Sequence, residues 1–212
     1  MSAIINFSKW MLIALVAIAT TIGTVTIFYG TSLQMKYDGI TGKVISEILS
    51  PTLHPDAMKK VYMPMANILL DTGDMAMTTI IRVPIADDVS NEDVEEAMIS
   101  IAFEEGIGAG GMPISEIVES QTGEKQRLLK IFRYCSPYTA MAIIEYSDAF
   151  STYLPCRIAL VEDKLGKRWL YTLNMDVLIY GGRPLSEDLY KKALELKHVM
   201  ITLQQAGAKG EF

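Results

Sequence analysis

The sequence has 212 residues, a formal charge of −6 and an apolar content of 50%, which together allow one membrane segment and one domain of ordinary size. The acidic balance, without a concentrated basic stretch, excludes a typical nucleic-acid-binding protein, because binding to phosphates requires clustered lysine and arginine. Most of the apolar excess lies in the first thirty residues, so the remainder has the composition of a soluble domain.

An uncharged apolar stretch lies near the N-terminus. No Asp, Glu, Lys or Arg occurs between Lys9 and Lys36, and about 20 helical residues are enough to cross the hydrocarbon of a bilayer. We therefore predict one transmembrane helix over residues 10–33, preceded by a short cytoplasmic tail of residues 1–9. A cleaved signal peptide is the alternative, because residues 17–19 resemble a cleavage site, but the hydrophobic stretch continues well beyond them.

The charges that flank this helix do not fix its orientation, because Lys9 lies on one side and Lys36 and Lys43 lie on the other. Uncleaved signal-anchors of this layout commonly export the domain that follows, and a pair of cysteines fits an oxidising compartment. We expect a single-pass protein of the inner (cytoplasmic) membrane, in contact with the lipid bilayer, with its C-terminal domain in the periplasm.

Small residues recur at four-residue spacing within the predicted membrane helix. Such spacing lets a second helix approach closely, although small residues are also common in membrane helices generally. The candidate membrane-packing residues are Ala17, Ala19, Thr20, Thr21, Gly23 and Thr24.

Residues 34–78 are predicted to form a Met-rich helical connector, because this segment is neither Gly/Ser-rich nor strongly charged. Thioether sulfur suits Cu(I), so copper is an alternative to our main expectation of no cofactor. Methionine also fills gaps in cores and interfaces without binding any metal. The candidate copper ligands are His54, Met63, Met65, Met75 and Met77.

A cluster of spaced glycines follows the first strand and helix of the predicted domain. The strand covers residues 77–85, and the helix begins after Ser90 and reaches Glu105. The glycines, at positions 106, 108 and 111, match the letters of a dinucleotide-binding pattern. That mechanism requires a strand before the glycines and a helix directly after them, so we interpret them as a turn.

The remaining elements alternate between strands and helices. They are predicted at residues 115–120 (helix), 127–134 (strand), 136–146 (helix), 156–161 and 169–173 (a strand hairpin), and from 186 past 200 (helix). The resulting order β-α-β-α-β-β-α favours an α+β fold, a two-layer sandwich over residues 79–206. Residues 207–212 are expected to be a C-terminal tail.

The two cysteines, Cys135 and Cys156, allow three interpretations. A disulfide would stabilise an exported domain by about 3 kcal/mol. The second interpretation is a redox or persulfide-carrying pair, because a helix that starts after Cys135 would lower the pKa of the Cys135 thiol. Inert buried thiols are the third. Two cysteines do not supply a structural zinc site, which needs four ligands.

Three charged residues that follow the second cysteine in the chain form a candidate polar site: Arg157, Glu162 and Asp163. They would suit anion binding or acid/base chemistry. A salt bridge at the end of a strand is the commoner explanation of such residues.

A set of residues between positions 135 and 166 has a recognisable spacing: Cys135, Pro137, Ala142, Phe150, Leu154, Pro155, Cys156, Arg157, Ile158, Val161, Glu162, Asp163 and Gly166. Together, these residues resemble a known family, called domain of unknown function 302. The resemblance covers about residues 79–206, and residues 181–185 and 207–212 are similar to a membrane-anchored bacterial branch of it. It implies a small α+β fold, often dimeric, with no established reaction.

No hydrolase, phosphate-loop or haem-attachment motif is present in the sequence. We therefore expect a non-catalytic accessory or assembly subunit, whose exported domain packs on a larger membrane complex of respiratory or oxidative metabolism, or on further copies of itself. The alternative is a thiol-redox, sulfur-carrier or Cu(I)-handling protein that uses Cys135 and Cys156.

Overall fold

The computed structural model describes residues 2–36, 40–49 and 51–211. The chain divides into two compact units, Met1–Thr52 and Leu53–Phe212.

The first unit contains the predicted membrane segment. Helix α1 covers Ser2–Lys36 and helix α2 covers Ile40–Leu49. Residues Leu15–Ser32 of α1 are long and apolar enough to cross a membrane, by length and composition. The helix begins at Ser2, so residues 2–9, predicted as a separate tail, belong to the same helix as the apolar segment.

Threonine hydroxyls of α1 are satisfied inside the helix. Thr20 and Thr21 donate to the carbonyls of Val16 and Ala17 at 2.9 and 2.8 Å, and Thr24 donates to the carbonyl of Thr20. These hydroxyls therefore do not need a second helix as a partner. Packing through the small residues stays a prediction.

The second unit is built on one antiparallel sheet of five strands in the order β1-β5-β4-β3-β2. This confirms the α+β class. The strands are β1 (Ile80–Pro84), β2 (Gly108–Pro113), β3 (Leu129–Cys135), β4 (Arg157–Glu162) and β5 (Arg168–Leu173).

Six helices accompany the sheet: α3 (Met63–Thr72), α4 (Asn91–Glu104), α5 (Ile114–Thr122), α6 (Pro137–Tyr146), α7 (Asp176–Tyr180) and α8 (Glu187–Lys209). A π-helical turn covers Met58–Tyr62, and 3₁₀ turns cover Ala76–Thr79 and Asp148–Ser151. Serine side chains accept the exposed N–H groups at the first turns of α4, α6 and α8, which is why these helices begin where the sequence predicts.

The core lies between the sheet and the two long helices α4 and α8. Strand side chains alternate between the two faces of a sheet, and those that point toward the helices are fully or almost fully buried. They include Phe132, Tyr134, Ile158, Leu160 and Leu170. The apolar positions of the opposite face are half-buried or exposed, and this face is described with the candidate site.

The glycine cluster forms a strand, and our prediction of a turn over the whole cluster was wrong. Gly108 pairs with Cys135 and Met112 with Ile131, so β2 lies at the edge of the sheet beside β3. Of the three glycines in this cluster, Gly106 alone has a positive φ, of 63°, and makes a turn. Pairing with β3 outweighs the weak strand propensity of glycine, which is tolerated best at an edge.

Two predicted boundaries also differ from the structure. Helix α8 continues to Lys209, and its last turn buries Gly207 and Ala208 against the core, so the predicted tail is largely part of the domain. The predicted connector is also divided, because its residues from Leu53 onward belong to the second unit and Val61 is buried in the core of that unit.

Candidate functional site

The two cysteines are joined in a disulfide at one end of the sheet. Cys135 is the last residue of β3, and Cys156 directly precedes β4, with their Cα atoms 5.3 Å apart. The strands bring them together because the backbone N–H of Tyr134 donates to the Cys156 carbonyl. Of the three interpretations of the cysteines, the structure therefore contains the disulfide, and neither thiol is free.

A recess of about 440 Å³ lies beside this disulfide, between β2, β3 and the start of β4. Cys135 is half-buried at its wall, whereas Cys156 is only 3% exposed. Among the described residues, no Asp or Glu lines the recess. The lining residues are Gly108, Ala109, Gly110, Arg133, Cys135, Leu154, Cys156 and Arg157.

Two arginines line this recess from neighbouring strands. Arg133 and Arg157 are direct partners in the register of β3 and β4, and both are exposed. Within the described part of the chain, neither guanidinium forms an ion pair or donates a hydrogen bond to another residue. Like charges directly opposite on neighbouring strands repel each other, so the fold leaves this pair without compensation.

Gly110 makes room for one of these guanidinium groups. It is the partner of Arg133 on β2, and a Cβ atom at this position would lie 3.3 Å from Nη2 of Arg133. The Arg133 side chain therefore extends over the backbone of the edge strand. The sequence did not identify Arg133 as a site residue, because its neighbour Arg157 is 24 positions away in the chain and only the strand register brings the two together.

The predicted polar site of Arg157, Glu162 and Asp163 is divided between the two ends of β4. Arg157 begins the strand and Glu162 ends it, which places them about 16 Å apart at about 3.3 Å per residue. The structure does not bring these three residues together.

Asp163 has a structural environment of its own. It accepts hydrogen bonds from Nε1 of Trp169 at 2.9 Å and from the backbone N–H groups of Leu165 and Lys167 at 2.8 and 3.0 Å. These bonds, that of Trp169 foremost, lower the pKa of the Asp163 carboxyl. Asp163 therefore holds the β4–β5 turn in place.

The candidate copper ligands are also separated. The pair Met63 and Met65 begins α3, whereas Met75 and Met77 follow its end, and a helix of ten residues is about 15 Å long. Nδ1 of His54 accepts the backbone N–H of residue 56 at 3.0 Å. The five side chains therefore do not share one centre, and the described residues contain no group of three or more His, Cys, Asp or Glu that could hold a metal.

The sheet face opposite α4 and α8 carries a second feature, here called the open face and defined by two rows of paired strand residues. It is apolar except for Arg82, and no Asp or Glu belongs to either row. One row is Met112, Ile131, Ala159, Tyr171 and Arg82, and the other is Leu129, Val161, Trp169 and Pro84.

Cations lie over the indole of this face. The Arg82 guanidinium carbon is 4.4 Å from the centre of the Trp169 ring, and Nζ of Lys167 is 4.7 Å from it. Such cation–π contacts hold charged groups against an aromatic surface. The open face therefore presents apolar side chains beside positive charge.

Comparisons with known proteins identify the family. Residues 82–203 match the family model described as Domain of unknown function DUF302. The structure is similar to the crystal structure of an uncharacterized conserved protein DUF302 from Bacillus stearothermophilus, with 13% identity and a TM-score of 0.47, over 60% of this chain and 97% of that chain. No curated protein matches the sequence. Because the family model covers more than half of its residues, this chain belongs to the DUF302 family.

Proposed function

We propose that this protein is a non-catalytic, membrane-anchored accessory subunit, whose domain docks through its open face onto an acidic surface of a larger membrane protein complex. The observation that carries the proposal is the open face itself, which is apolar and cationic in a chain of net charge −6.

The apolar character of this face supports a docking role. Met112 is 55% exposed, and Ile131, Tyr171 and Trp169 are half-buried. An antiparallel sheet that faces water usually alternates apolar and polar residues, with the polar ones outward. Contiguous apolar residues on an exposed surface mark contacts with other molecules.

The charge pattern indicates the kind of partner. Arg82 lies within the open face, and Arg133 and Arg157 follow in the next row of the same sheet side. A second copy that used the same face would place these cations against one another. Complementary charge favours and orients a complex, so a partner with acidic groups around an apolar centre fits better.

The anchor and the disulfide support the location of this docking. Helix α1 has the length and composition to hold the domain at a bilayer, and a disulfide persists in oxidising compartments. The proposal therefore places the domain on the periplasmic side of the inner membrane.

Site-specific photo-crosslinking in intact membranes tests the proposal. A photoreactive residue at Met112 is expected to form a discrete adduct with one identified membrane protein, and native mass spectrometry should find the same protein in a stoichiometric complex. Phe103 of α4, which is 85% exposed, is the matched control site and should give no such adduct. An adduct of twice the chain mass, or adducts with lipid alone, would contradict the proposal.

Charge exchange tests the acidic character of the partner. The Arg82→Glu variant is expected to lose the Met112 adduct, and substitution of lysine for the facing acid of the identified partner should restore it. Recovery of this kind depends on a direct contact, because a merely destabilised domain would not regain it. An adduct that survives Arg82→Glu unchanged would exclude the electrostatic part of the proposal.

Thiol–disulfide exchange is the second candidate function, because Cys135 is half-buried in the recess while Cys156 is almost fully buried. One thiolate of a partner dithiol would attack the Cys135 sulfur and release the Cys156 thiolate. The second partner thiolate would then displace Cys135, so that the partner dithiol is oxidised to a disulfide and this disulfide gains two electrons and two protons. A reduction potential of the Cys135–Cys156 disulfide below about −300 mV, typical of structural disulfides, would exclude this exchange function.

A further inference from the structure

We propose that the recess between β2, β3 and β4 is a binding site for the oxyanion group of a small ligand, a carboxylate, phosphate or sulfate, held by Arg133 and Arg157. This proposal does not depend on the docking function, because it concerns the purified protein without any partner.

The two arginines supply unused donors at the wall of one recess. Arg133 and Arg157 are direct cross-strand partners that line the same recess, and each guanidinium carries five N–H donors. Side chains directly opposite on paired strands have Cβ atoms about 5 Å apart, so both guanidinium groups can reach one anion. A bound oxyanion would accept hydrogen bonds from both and cancel their repulsion.

The edge strand keeps the recess open. Its contribution consists of Gly108, Ala109 and Gly110, which carry almost no side-chain volume. Gly110 leaves the space over which the Arg133 guanidinium extends, at 3.3 Å from the position of an added Cβ. Glycine in a strand often marks a place where a ligand approaches the backbone closely.

The remaining walls indicate a ligand with a small apolar part. The volume of about 440 Å³ lies within the range of pockets for small organic molecules and is larger than an inorganic oxyanion needs. Leu154 and the disulfide supply apolar surface next to the arginines. The anionic group has two potential sources, a soluble organic anion and the headgroup of an acidic lipid.

Titration of the full chain in nanodiscs of zwitterionic lipid tests the site. Sulfate, phosphate and succinate are added separately at constant ionic strength, with chloride as the replaced anion, and binding is followed by calorimetry and by the shift of the unfolding temperature. At least one of the three is expected to bind saturably with a stoichiometry of one. Shifts that are linear in concentration and equal for all anions would overturn the proposal.

Variants of the two arginines make the test specific. Arg133→Gln and Arg157→Gln are each expected to weaken binding about tenfold or more, because each removes a charge-assisted hydrogen bond. The matched control is Arg183→Gln, which removes an exposed arginine outside the recess and should leave binding unchanged. Equal weakening in the control would show charge screening and overturn the proposal.

The folding of the variants provides an internal check. At low ionic strength without added oxyanion, Arg133→Gln and Arg157→Gln should unfold at the same or a higher temperature than the parent chain, because each relieves the repulsion between the arginines. Gly110→Val tests the geometry, since a side chain there displaces the Arg133 guanidinium while valine favours the strand. It should weaken binding, and unchanged affinity would remove Gly110 from the site.

Lipid composition separates the two sources of the anion. If acidic lipid supplies the headgroup, nanodiscs that contain it should reduce the apparent affinity for added sulfate by competition, and Arg157→Gln should abolish that reduction. An affinity that is independent of lipid composition identifies a soluble anion. Both results support the arginine site, whereas absence of saturable binding in both kinds of nanodisc overturns it.

Discussion

Gly207 of α8 lies against Met98 of α4, and a Cβ atom on this glycine would come within 2.8 Å of the Met98 Cγ. The same atom would lie 3.1 Å from Cδ1 of Leu170 on β5. Both neighbours are completely buried, so moving either side chain would disturb the packing of the core around it. The glycine therefore sets the distance at which α8 packs on α4 and on the sheet.

Gly207→Ala is expected to destabilise the domain. Alanine favours a helix over glycine by about 1 kcal/mol, but overpacking a close contact costs about 1–3 kcal/mol, so the steric effect is expected to exceed the helix propensity. Urea unfolding of the full chain in detergent measures the difference. Gln205→Ala, at an exposed position of the same helix, is the control and should be nearly neutral. A more stable Gly207→Ala variant would contradict this close packing.

Tyr134→Phe is expected to leave the domain equally stable or more stable. The Tyr134 side chain is completely buried, and its hydroxyl has no hydrogen-bond partner among the described residues, which costs free energy that phenylalanine would recover. Burial raises the pKa of this hydroxyl well above its ordinary value, so it stays protonated at any physiological pH. Thermal unfolding measures the effect.

Tyr62 provides the matched comparison for Tyr134. Its hydroxyl donates to the carbonyl of Gly181 and fastens the connector to the domain. Tyr62→Phe removes the same atom but also a hydrogen bond, and should cost about 1 kcal/mol. Equal losses in the two variants would mean that the Tyr134 hydroxyl is also bonded.

Removal of the disulfide is expected to destabilise the domain by about 3 kcal/mol, because the bond closes a loop between Cys135 and Cys156 at a sequence separation of 21. The change is the double variant Cys135→Ser with Cys156→Ser, compared with the parent chain in the presence and absence of reductant. Thiol labelling should detect two groups in the parent only after reduction. If reductant leaves the unfolding midpoint of the parent unchanged, the bond does not contribute to stability.

Local signals in the sequence were enough to place most helices. The side chains of Ser90, Ser136 and Ser186 cap α4, α6 and α8 through bonds to N–H groups three residues ahead, and such a pattern is visible without knowledge of the fold. Strand β2 was missed for the opposite reason. Its glycines have weak strand propensity, and it forms through pairing with β3, which is distant in the sequence.

The candidate site shows the same division between local and distant information. Cys135 and Cys156 were predicted as a disulfide or redox pair and Arg157 as part of a polar site, and all three line the recess. Arg133 was not predicted, although it lies close to Cys135 in the chain, because only strand register places it opposite Arg157. Glu162 was grouped with Arg157 by proximity in the chain, but an extended strand carries residues five positions apart to its opposite ends.

Asp163→Asn is expected to make the stability of the domain less dependent on acid pH. Hydrogen bonds from Trp169 and from the backbone lower the folded-state pKa of Asp163 below its ordinary value of 3.8. The carboxylate therefore stabilises the fold at pH values above 3.8, and this contribution is lost as the pH falls through the lowered folded-state pKa. Urea unfolding between pH 3 and pH 7 should give a smaller loss in the variant than in the parent chain. The stability of the variant should still depend on pH to some extent, because hydrogen bonds from Ser90 also lower the pKa of the Asp93 carboxyl. Equal slopes in the two proteins would show that the bond to Trp169 does not favour the charged form.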